Sequence, residues 1–269
     1  MKIEKGILVS GYDLGLNHGA VVQLIDGELN WFSYYTDLAG AAAKHKDAYR
    51  LTVDKSKDNQ LFNMLRLYNV LLWFEETIRD HPSNFAGVED YALDASHGAH
   101  HKGELGGVVR MCLLRSGIPF RLHDPGSVKM FVTGDGTAKK DLMEEFVLSR
   151  WGADFSKYNL PQTGKKQNRQ TSEDLADAYG VAYLVWTEYL IRTGRMRMTD
   201  LRNEKEVRVF NRVTKMYPNN ILDREWIETD TTGDIRYDAV VVNKIHKWCR
   251  ENASKNPKLS KFILSLMEY

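Results

Sequence analysis

Apolar runs separated by polar residues in the first 35 positions predict three β-strands. Residues 6–15 begin with an apolar run, and a second run at 20–25 ends in Asp26-Gly27. An Asp-Gly pair after an apolar run is typical of a tight hairpin turn. We therefore expect residues 20–25 to pair with their neighbours and residues 28–35 to form the third strand. Residues 38–59 show no clear period, which favours a loop or an exposed helix.

Residues 61–192 predict four helices separated by two short strands. Apolar residues recur at helical spacing in four segments, which are 61–78, 105–113, 141–151 and 171–192. Pro82 cannot continue the first helix, and Thr171 is the predicted N-cap of the last, with Asp174 three residues on. Short apolar runs at 85–91 and 118–122 predict the strands. Strands followed by alternating helices and strands are typical of an α/β fold with a mixed sheet covered by helices.

The pattern of apolar and charged residues changes after about residue 195. A basic segment leads to a turn at 217–220, a possible strand at 238–242 and an amphipathic helix at 259–267. We interpret residues 1–195 as one domain and residues 196–269 as a C-terminal appendage.

Composition excludes several classes of protein. The 269 residues are 43% hydrophobic, and 37 Lys and Arg nearly balance 36 Asp and Glu, so disorder of most of the chain is excluded. Apolar stretches such as 179–186 are far shorter than the roughly 18 residues that span a bilayer, so we expect no membrane association. Two cysteines in unrelated contexts and no visible signal peptide favour a cytoplasmic location.

Basic residues are concentrated in two segments. Residues 157–169 contain four basic and no acidic residues, and residues 192–215 contain eight basic residues against three acidic ones. Solvated loops and a charged helix face would explain each segment. Binding to nucleic-acid phosphates would explain them as well.

Four acids stand at positions where they could form one site. Asp13 and Glu89 lie at or near the ends of predicted strands, and Asp174 and Asp177 share one face of the last helix. Taken singly, Asp13 fits a turn, Glu89 a paired strand residue, and Asp174 a helix-dipole contact. Together they would supply hard oxygen ligands for Mg²⁺ or Mn²⁺. Two such ions can activate water and stabilise the leaving oxygen of a phosphodiester.

Four sequence blocks resemble the RuvC-type Holliday junction resolvases of the RNase H-like superfamily. The blocks are Asp13-x-Gly15, Val88-Glu89-Asp90, a Val-Lys/Gly-x-Gly/Ala-x-Lys string over residues 128–140, and Asp174-x-x-Asp177-Ala178. The resemblance covers about residues 6–190 and implies an RNase H-like mixed β-sheet flanked by helices. The long link at 152–170 and the extra C-terminal appendage are more similar to bacteriophage-type members, which would act in the host cytoplasm.

The resemblance implies a structure-selective endodeoxyribonuclease that depends on divalent metal. It would hydrolyse phosphodiesters at four-way junctions by paired symmetric nicks, and its substrates could include forks and flaps. Asp13, Glu89, Asp174 and Asp177 would bind two Mg²⁺ or Mn²⁺ ions, and Lys140 would act beside the scissile phosphate. A homodimer with two sites facing one junction is also implied, with its interface on the helix at 61–78 or at 105–113, or on the terminal helix at 259–267.

Further residues are predicted to bind DNA. Tyr91 lies one position before the family's junction-wedging aromatic residue, whose offset holds Ala92 here. We expect His100 and His101 in a DNA-facing loop, since clustered histidines without cysteine at irregular spacing do not favour zinc. The predicted DNA-binding residues are Lys129, Lys139, Lys140, Tyr91, His100, His101, Lys102, Lys165, Lys166 and Arg169.

Three alternatives remain at this point. Another RNase H-like nuclease, such as a transposase-like enzyme or an RNA–DNA hybrid nuclease, would share the acids but not the block at 128–140. A non-catalytic DNA-junction-binding protein would keep the fold without cutting. An actin-like ATPase needs two similar halves and a second phosphate-binding glycine loop, and the sequence contains neither.

Overall fold

A six-stranded mixed sheet forms the centre of the protein in the computed structural model. The structure describes residues 6–52, 59–90, 99–159, 169–216, 227–229 and 235–237. The sheet order is β4-β3-β2-β1-β5-β6, with β1, β2 and β3 antiparallel and β5 and β6 continuing parallel to β1. The strands are β1 Leu8–Leu14, β2 His18–Ile25, β3 Glu28–Thr36, β4 Tyr49–Arg50, β5 Phe85–Glu89 and β6 Phe120–His123.

Helices cover both faces of this sheet. They are α1 Ala39–Ala42, α2 Asn59–Asp80, α3 Ala99–Arg115, α4 Pro125–Thr133, α5 Lys140–Trp151, α6 Gln170–Arg192 and α7 Glu204–Met216. Short 3₁₀ turns occupy Ser156–Tyr158 and Met198–Asp200, and a separate antiparallel pair consists of β7 Ile227–Thr229 and β8 Ile235–Tyr237. Helices α2 and α3 share one hydrophobic core with the sheet, and α4, α5, α6 and α7 share the other. The predicted mixed sheet flanked by helices is therefore confirmed.

The turn between β2 and β3 follows the sequence prediction. Asp26 and Gly27 have backbone φ angles of 50° and 91°, and Ile25 pairs with Glu28 across them. Two successive positive φ angles define the tight hairpin turn that Asp-Gly favours, because glycine carries no Cβ to oppose them.

Two local predictions are wrong. Residues 99–102 form the first turn of α3, so the loop predicted for His100, His101 and Lys102 is instead helical. Helix α6 begins at Gln170 with Arg169 at the N-cap, and no side chain caps it, so Thr171 lies inside the helix rather than at its cap. Capping preference was outweighed there by the packing of the first turn, in which Thr171 and Ser172 are buried.

Helix α4 was not predicted, although its ends carry clear signals. The Asp124 side chain accepts a hydrogen bond of 3.0 Å from the Ser127 backbone N–H, and Pro125 occupies the first turn. Gly134, with φ of 82°, ends the helix in the left-handed conformation. An acidic N-cap, a proline at the start and a glycine after the end are all favoured at helix termini.

The first part of the predicted appendage continues the core of the preceding domain. In α7, Val209, Phe210 and Val213 are buried in the same core as Phe131 of α4. The division at residue 195 stays a prediction, and the predicted features at 217–220, 238–242 and 259–267 lie outside the described residues. Within the described ranges, no helix is long and apolar enough to cross a membrane.

Candidate active site

Four acidic side chains from three elements converge on the α6-facing side of the sheet. In the parallel pairing of β1 and β5, Tyr12 lies opposite Val88, so Asp13 and Glu89 occupy neighbouring positions where these strands end. Asp174 and Asp177 lie one turn apart at the start of α6 and are buried, with 2% and 4% of their surfaces exposed. The structure therefore brings together the four acids that the sequence singled out.

The close approach of α6 to β1 makes this convergence possible. A Cβ at Gly11 would lie 2.2 Å from the Ala178 carbonyl oxygen and 2.3 Å from the Ala182 nitrogen. Any side chain at Gly11 would force the helix away from the strand. Because Gly11 has no side chain, the start of α6 lies directly against β1. Asp174 therefore lies close enough to Asp13 for their charges to interact.

Burial and mutual repulsion raise the pKa values of three of these acids. Burial, followed by the negative charge of Asp174, raises the pKa of Asp13 to about 7. Burial and then the charge of Asp13 raise the pKa values of Glu89 and Asp177 well above the ordinary range of a carboxyl group. Ionising this cluster is therefore costly, and a bound cation would stabilise its ionised form.

Lys140 supplies the nearest ammonium group. As the first residue of α5, it places Nζ 3.4 Å from Asp174 Oδ1 and 3.8 Å from Asp177 Oδ2. Burial acts to lower the pKa of Lys140, but the charges of Asp174, Asp13 and Asp177 outweigh it, so the pKa is raised. The side chain is therefore a fixed positive charge at the edge of the acid cluster.

Two residues that the sequence reasoning missed also hold Asp174. His18 Nδ1 donates to Asp174 Oδ2 at 2.7 Å, and Gln170 Nε2 donates to Asp174 Oδ1 at 2.7 Å. His18 could have been found, because Asp13 pairs with Ala20 and strand alternation places residue 18 on the same face. Gln170 could not have been found so easily, since the sequence placed the start of α6 one residue too late.

Lys102 and Lys129 extend the positive charge around the cluster. The charge of Lys102 lowers the pKa of Asp13, and that of Lys129 lowers the pKa values of Glu89 and Asp177, in each case against the stronger raising effects. A cleft of about 150 Å³ opens at this point. Its lining includes Asp13, Leu14, Val88, Glu89, Asp90, Lys102, Leu105, Gly106 and Pro125.

The remaining predicted DNA-binding residues are more scattered. Lys139 and Arg169 line a larger open pocket of about 750 Å³ beside α5, where Arg169 Nη2 lies 2.6 Å from Glu144 Oε2. His101 Nδ1 lies 3.1 Å from Glu104 Oε2, so it is engaged within α3. His100 lies in the same helical turn. Tyr91, Lys165 and Lys166 lie outside the described residues.

The donor set fits a hard divalent cation, but the side chains are not arranged as ligands. Carboxylate oxygens are the groups that Mg²⁺ and Mn²⁺ prefer. Among the described residues, no group of three or more His, Cys, Asp or Glu side chains is placed to hold a metal ion. At Asp174, His18, Gln170 and Lys140 contact the two carboxylate oxygens.

Comparison with known proteins yields structural likeness without sequence matches. No protein-family model matches the chain, and no curated protein sequence matches it. A structure of RuvC from Thermus thermophilus is similar, with a TM-score of 0.46 and 17% identity over 70% of this chain and 97% of that one. T. thermophilus RuvC in complex with a Holliday junction substrate is similar too, with a TM-score of 0.46 and 18% identity over 70% of this chain and 96% of that one. The bacteriophage-type assignment and the cytoplasmic location stay predictions.

Proposed function

We propose that this protein is a divalent-metal-dependent endonuclease that hydrolyses phosphodiesters in branched DNA. One observation carries the proposal: Asp13, Glu89, Asp174 and Asp177 converge at one end of the sheet with the Lys140 ammonium beside them. A purely structural role does not account for this cluster, because it leaves several buried acids with raised pKa values.

The four carboxylates would hold Mg²⁺ or Mn²⁺, with two ions as the resemblance implies. Ions held there would supply an activated water and would neutralise charge at the leaving oxygen. His18 and Gln170 orient Asp174 by hydrogen bonds to its two oxygens. Lys140 keeps its proton, so it would bind a non-bridging oxygen of the scissile phosphate and offset the charge that grows there.

Lysines around the cleft would bind DNA phosphates on either side of the cut. Lys102 stands on α3 at one side of the acids, and Lys129 stands on α4 at the other. Such contacts fix the position of the backbone without reading its sequence. We propose a four-way junction as the preferred substrate, with forks and flaps as further branched substrates.

A homodimer would place two such sites on one junction. Helix α2 exposes large apolar side chains at helical spacing, namely Leu61, Met64, Tyr68 and Leu72, and α3 beside it exposes Met111. Exposed apolar residues that share one helix face are typical of an interface with another protein. We propose this surface, the α2 stripe, as the contact between two copies of the chain.

A panel of labelled substrates tests the proposed activity. Purified full-length protein would be incubated in Mg²⁺ or Mn²⁺ with a four-way junction, a Y-fork, a linear duplex of matched sequence and an RNA–DNA hybrid. We expect nicks in the branched DNA at least about 10-fold faster than in the duplex or the hybrid. Faster cleavage of the hybrid would instead identify an RNA–DNA hybrid nuclease. Tight junction binding without any cleavage would identify a non-catalytic junction-binding protein.

A further inference from the structure

Helix α7 presents a line of four basic side chains to solvent. Lys205, Arg208, Arg212 and Lys215 are spaced by three, four and three residues, which puts them on one side of the helix. All four are exposed, and the opposite side of α7 is buried in the core. At 1.5 Å rise per residue this basic stripe is about 15 Å long, enough to run beside several phosphates of a DNA backbone.

Buried contacts fix α7 on the nuclease-like core. Glu206, with 2% of its surface exposed, accepts hydrogen bonds from Arg150 at 3.1 Å and from Arg202 at 2.6 Å. The Phe210 ring meets the Phe131 ring of α4 edge-on at 5.8 Å. The basic stripe is therefore held in one orientation relative to α4.

The stripe also contacts both ends of α4. Lys205 Nζ donates to the Gly134 carbonyl oxygen at 2.7 Å, just beyond the end of α4. Arg212 Nη1 lies 3.2 Å from Asp124 Oδ2, at the N-cap of the same helix. The next residue, Pro125, lines the cleft that contains Asp13 and Glu89. A backbone leaving this cleft along α4 would therefore run beside α7.

Little negative charge opposes the stripe within α7 itself. The helix contains two acids, and Glu206 is buried on the other side. Glu204 lies 3.8 Å from Arg208, with both side chains more than three-quarters exposed. Exposed pairs of this kind contribute little stability, so Arg208 can exchange Glu204 for a phosphate at small cost.

We infer that the basic stripe of α7 binds the phosphate backbone of a DNA arm that leads away from the acid cluster. The inference rests on the proposed function and gives a role to the first part of the C-terminal appendage. Because the contacts are to phosphates, they strengthen binding to any sequence and weaken steeply as salt concentration rises.

The test compares two double variants of the full-length protein. Arg208→Ala with Lys215→Ala removes two stripe charges while keeping the Lys205 and Arg212 contacts to α4. Lys46→Ala with Arg115→Ala removes two exposed charges away from α7, one between α1 and β4 and one at the end of α3. Binding of a labelled four-way junction would be measured across a salt series in Ca²⁺, and circular dichroism would check that each variant is folded.

We expect the α7 variant to lose about 10-fold or more in junction affinity. Its plot of log affinity against log salt should become shallower by about 2, since each lost phosphate contact removes about 0.9 from the slope. The control pair should stay within about twofold of wild type. Equal salt slopes for the α7 variant and wild type would overturn the inference.

The same experiment separates this inference from the proposed function. If wild type nicks the junction but the α7 variant binds like wild type, the inference alone fails. If wild type binds through α7 but never nicks, the inference holds and the nuclease proposal fails. If wild type binds no branched DNA, both fail.

Discussion

His18 Nδ1 lies 2.7 Å from Asp174 Oδ2 and ties the start of β2 to the start of α6 across 156 residues of sequence. Burial acts to lower the pKa of His18, but the hydrogen bond to Asp174 and the charges of Asp174 and Asp13 outweigh it, so the pKa is raised. The imidazole is thus held as a donor to one of the four acids. It sets the orientation of a carboxylate that the proposed reaction requires.

Removing this donor should impair catalysis more than DNA binding. For His18→Ala we expect the junction-nicking rate to fall about 10- to 100-fold, because Asp174 would lose the hydrogen bond that orients it. His18→Asn, which keeps a side-chain donor, should retain more activity. Single-turnover nicking over a Mg²⁺ series would measure the change, alongside junction affinity. Nicking by His18→Ala at the wild-type rate at every Mg²⁺ concentration would show that the contact has no catalytic role.

Loss of the Lys140 ammonium should reduce the junction-nicking rate more than loss of the His18 side chain does. Lys140→Ala should lower the nicking rate about 100-fold, since one preorganised charge at a reacting phosphate typically contributes that much. Lys140→Arg keeps the positive charge and should recover part of the rate. Lys46→Ala removes an exposed charge in the chain segment between α1 and β4 and serves as the matched control. A Lys140→Ala protein that nicks as fast as the Lys46→Ala protein would contradict the proposed role.

The raised pKa values predict how stability depends on pH. The pKa of Asp13 rises from 3.8 to about 7 on folding, so between these values the folded chain keeps a proton that the unfolded chain has released. The free energy of unfolding therefore falls as pH rises through this interval. Glu89, Asp177 and His18, whose pKa values are also raised, act in the same direction. Without divalent ions, the melting temperature should be higher at pH 5 than at pH 8.

Neutralising one acid of the cluster should make the free energy of unfolding less dependent on pH. At pH 8 without metal, Asp177→Asn should raise the free energy of unfolding, because the buried negative charge beside Asp13 is removed. The gain should shrink as the pH is lowered, since the wild-type carboxyl then takes up a proton. Added Mg²⁺ should stabilise wild type at pH 8 more than Asp177→Asn. Thermal unfolding at pH 5 and pH 8 measures these effects, and a lower melting temperature for Asp177→Asn at pH 8 would refute the electrostatic account.

The α2 stripe predicts a dimer that a single charge disrupts. Tyr68→Asp, at a side chain that is 55% exposed, should shift the protein from dimer to monomer in light scattering while leaving its fold intact. Glu145→Ala, at an exposed position of α5 on the other face of the sheet, should leave the dimer unchanged. Paired nicking should fall with dimer content. A wild-type protein that is monomeric at the concentrations of the nicking assay would exclude this interface.

Much of the sheet and most of the acid cluster could be predicted, because their signals are local. Continuous apolar runs identified β1 and β2, and the i, i+3 spacing placed Asp174 and Asp177 on one helix face. The contacts around them depend on tertiary packing. Gly11 matters only because α6 crosses β1 at that residue, and no local pattern shows that crossing.

The wrong predictions close to the acid cluster also arise because local sequence patterns do not show tertiary packing. Helix α4 was not predicted although Asp124, Pro125 and Gly134 mark its ends, because its nine residues are too few for a clear helical period. The predicted start of α6 at Thr171 is wrong because capping preference is a local signal, whereas the burial of Thr171 and Ser172 depends on tertiary packing. Position 170 was thereby assigned to a linker, which concealed the contact of Gln170 with Asp174.

The most direct test of the central claim is cleavage of a labelled four-way junction in Mg²⁺ by wild type, Asp177→Asn and Glu173→Gln. Glu173 lies in the same turn of α6 as the acid cluster and provides the matched control. Wild type and Glu173→Gln should produce paired nicks in opposing strands, and Asp177→Asn should bind the junction but cut it at least about 100-fold more slowly. Cleavage by Asp177→Asn at the wild-type rate, or no cleavage by wild type in either Mg²⁺ or Mn²⁺, would contradict the account.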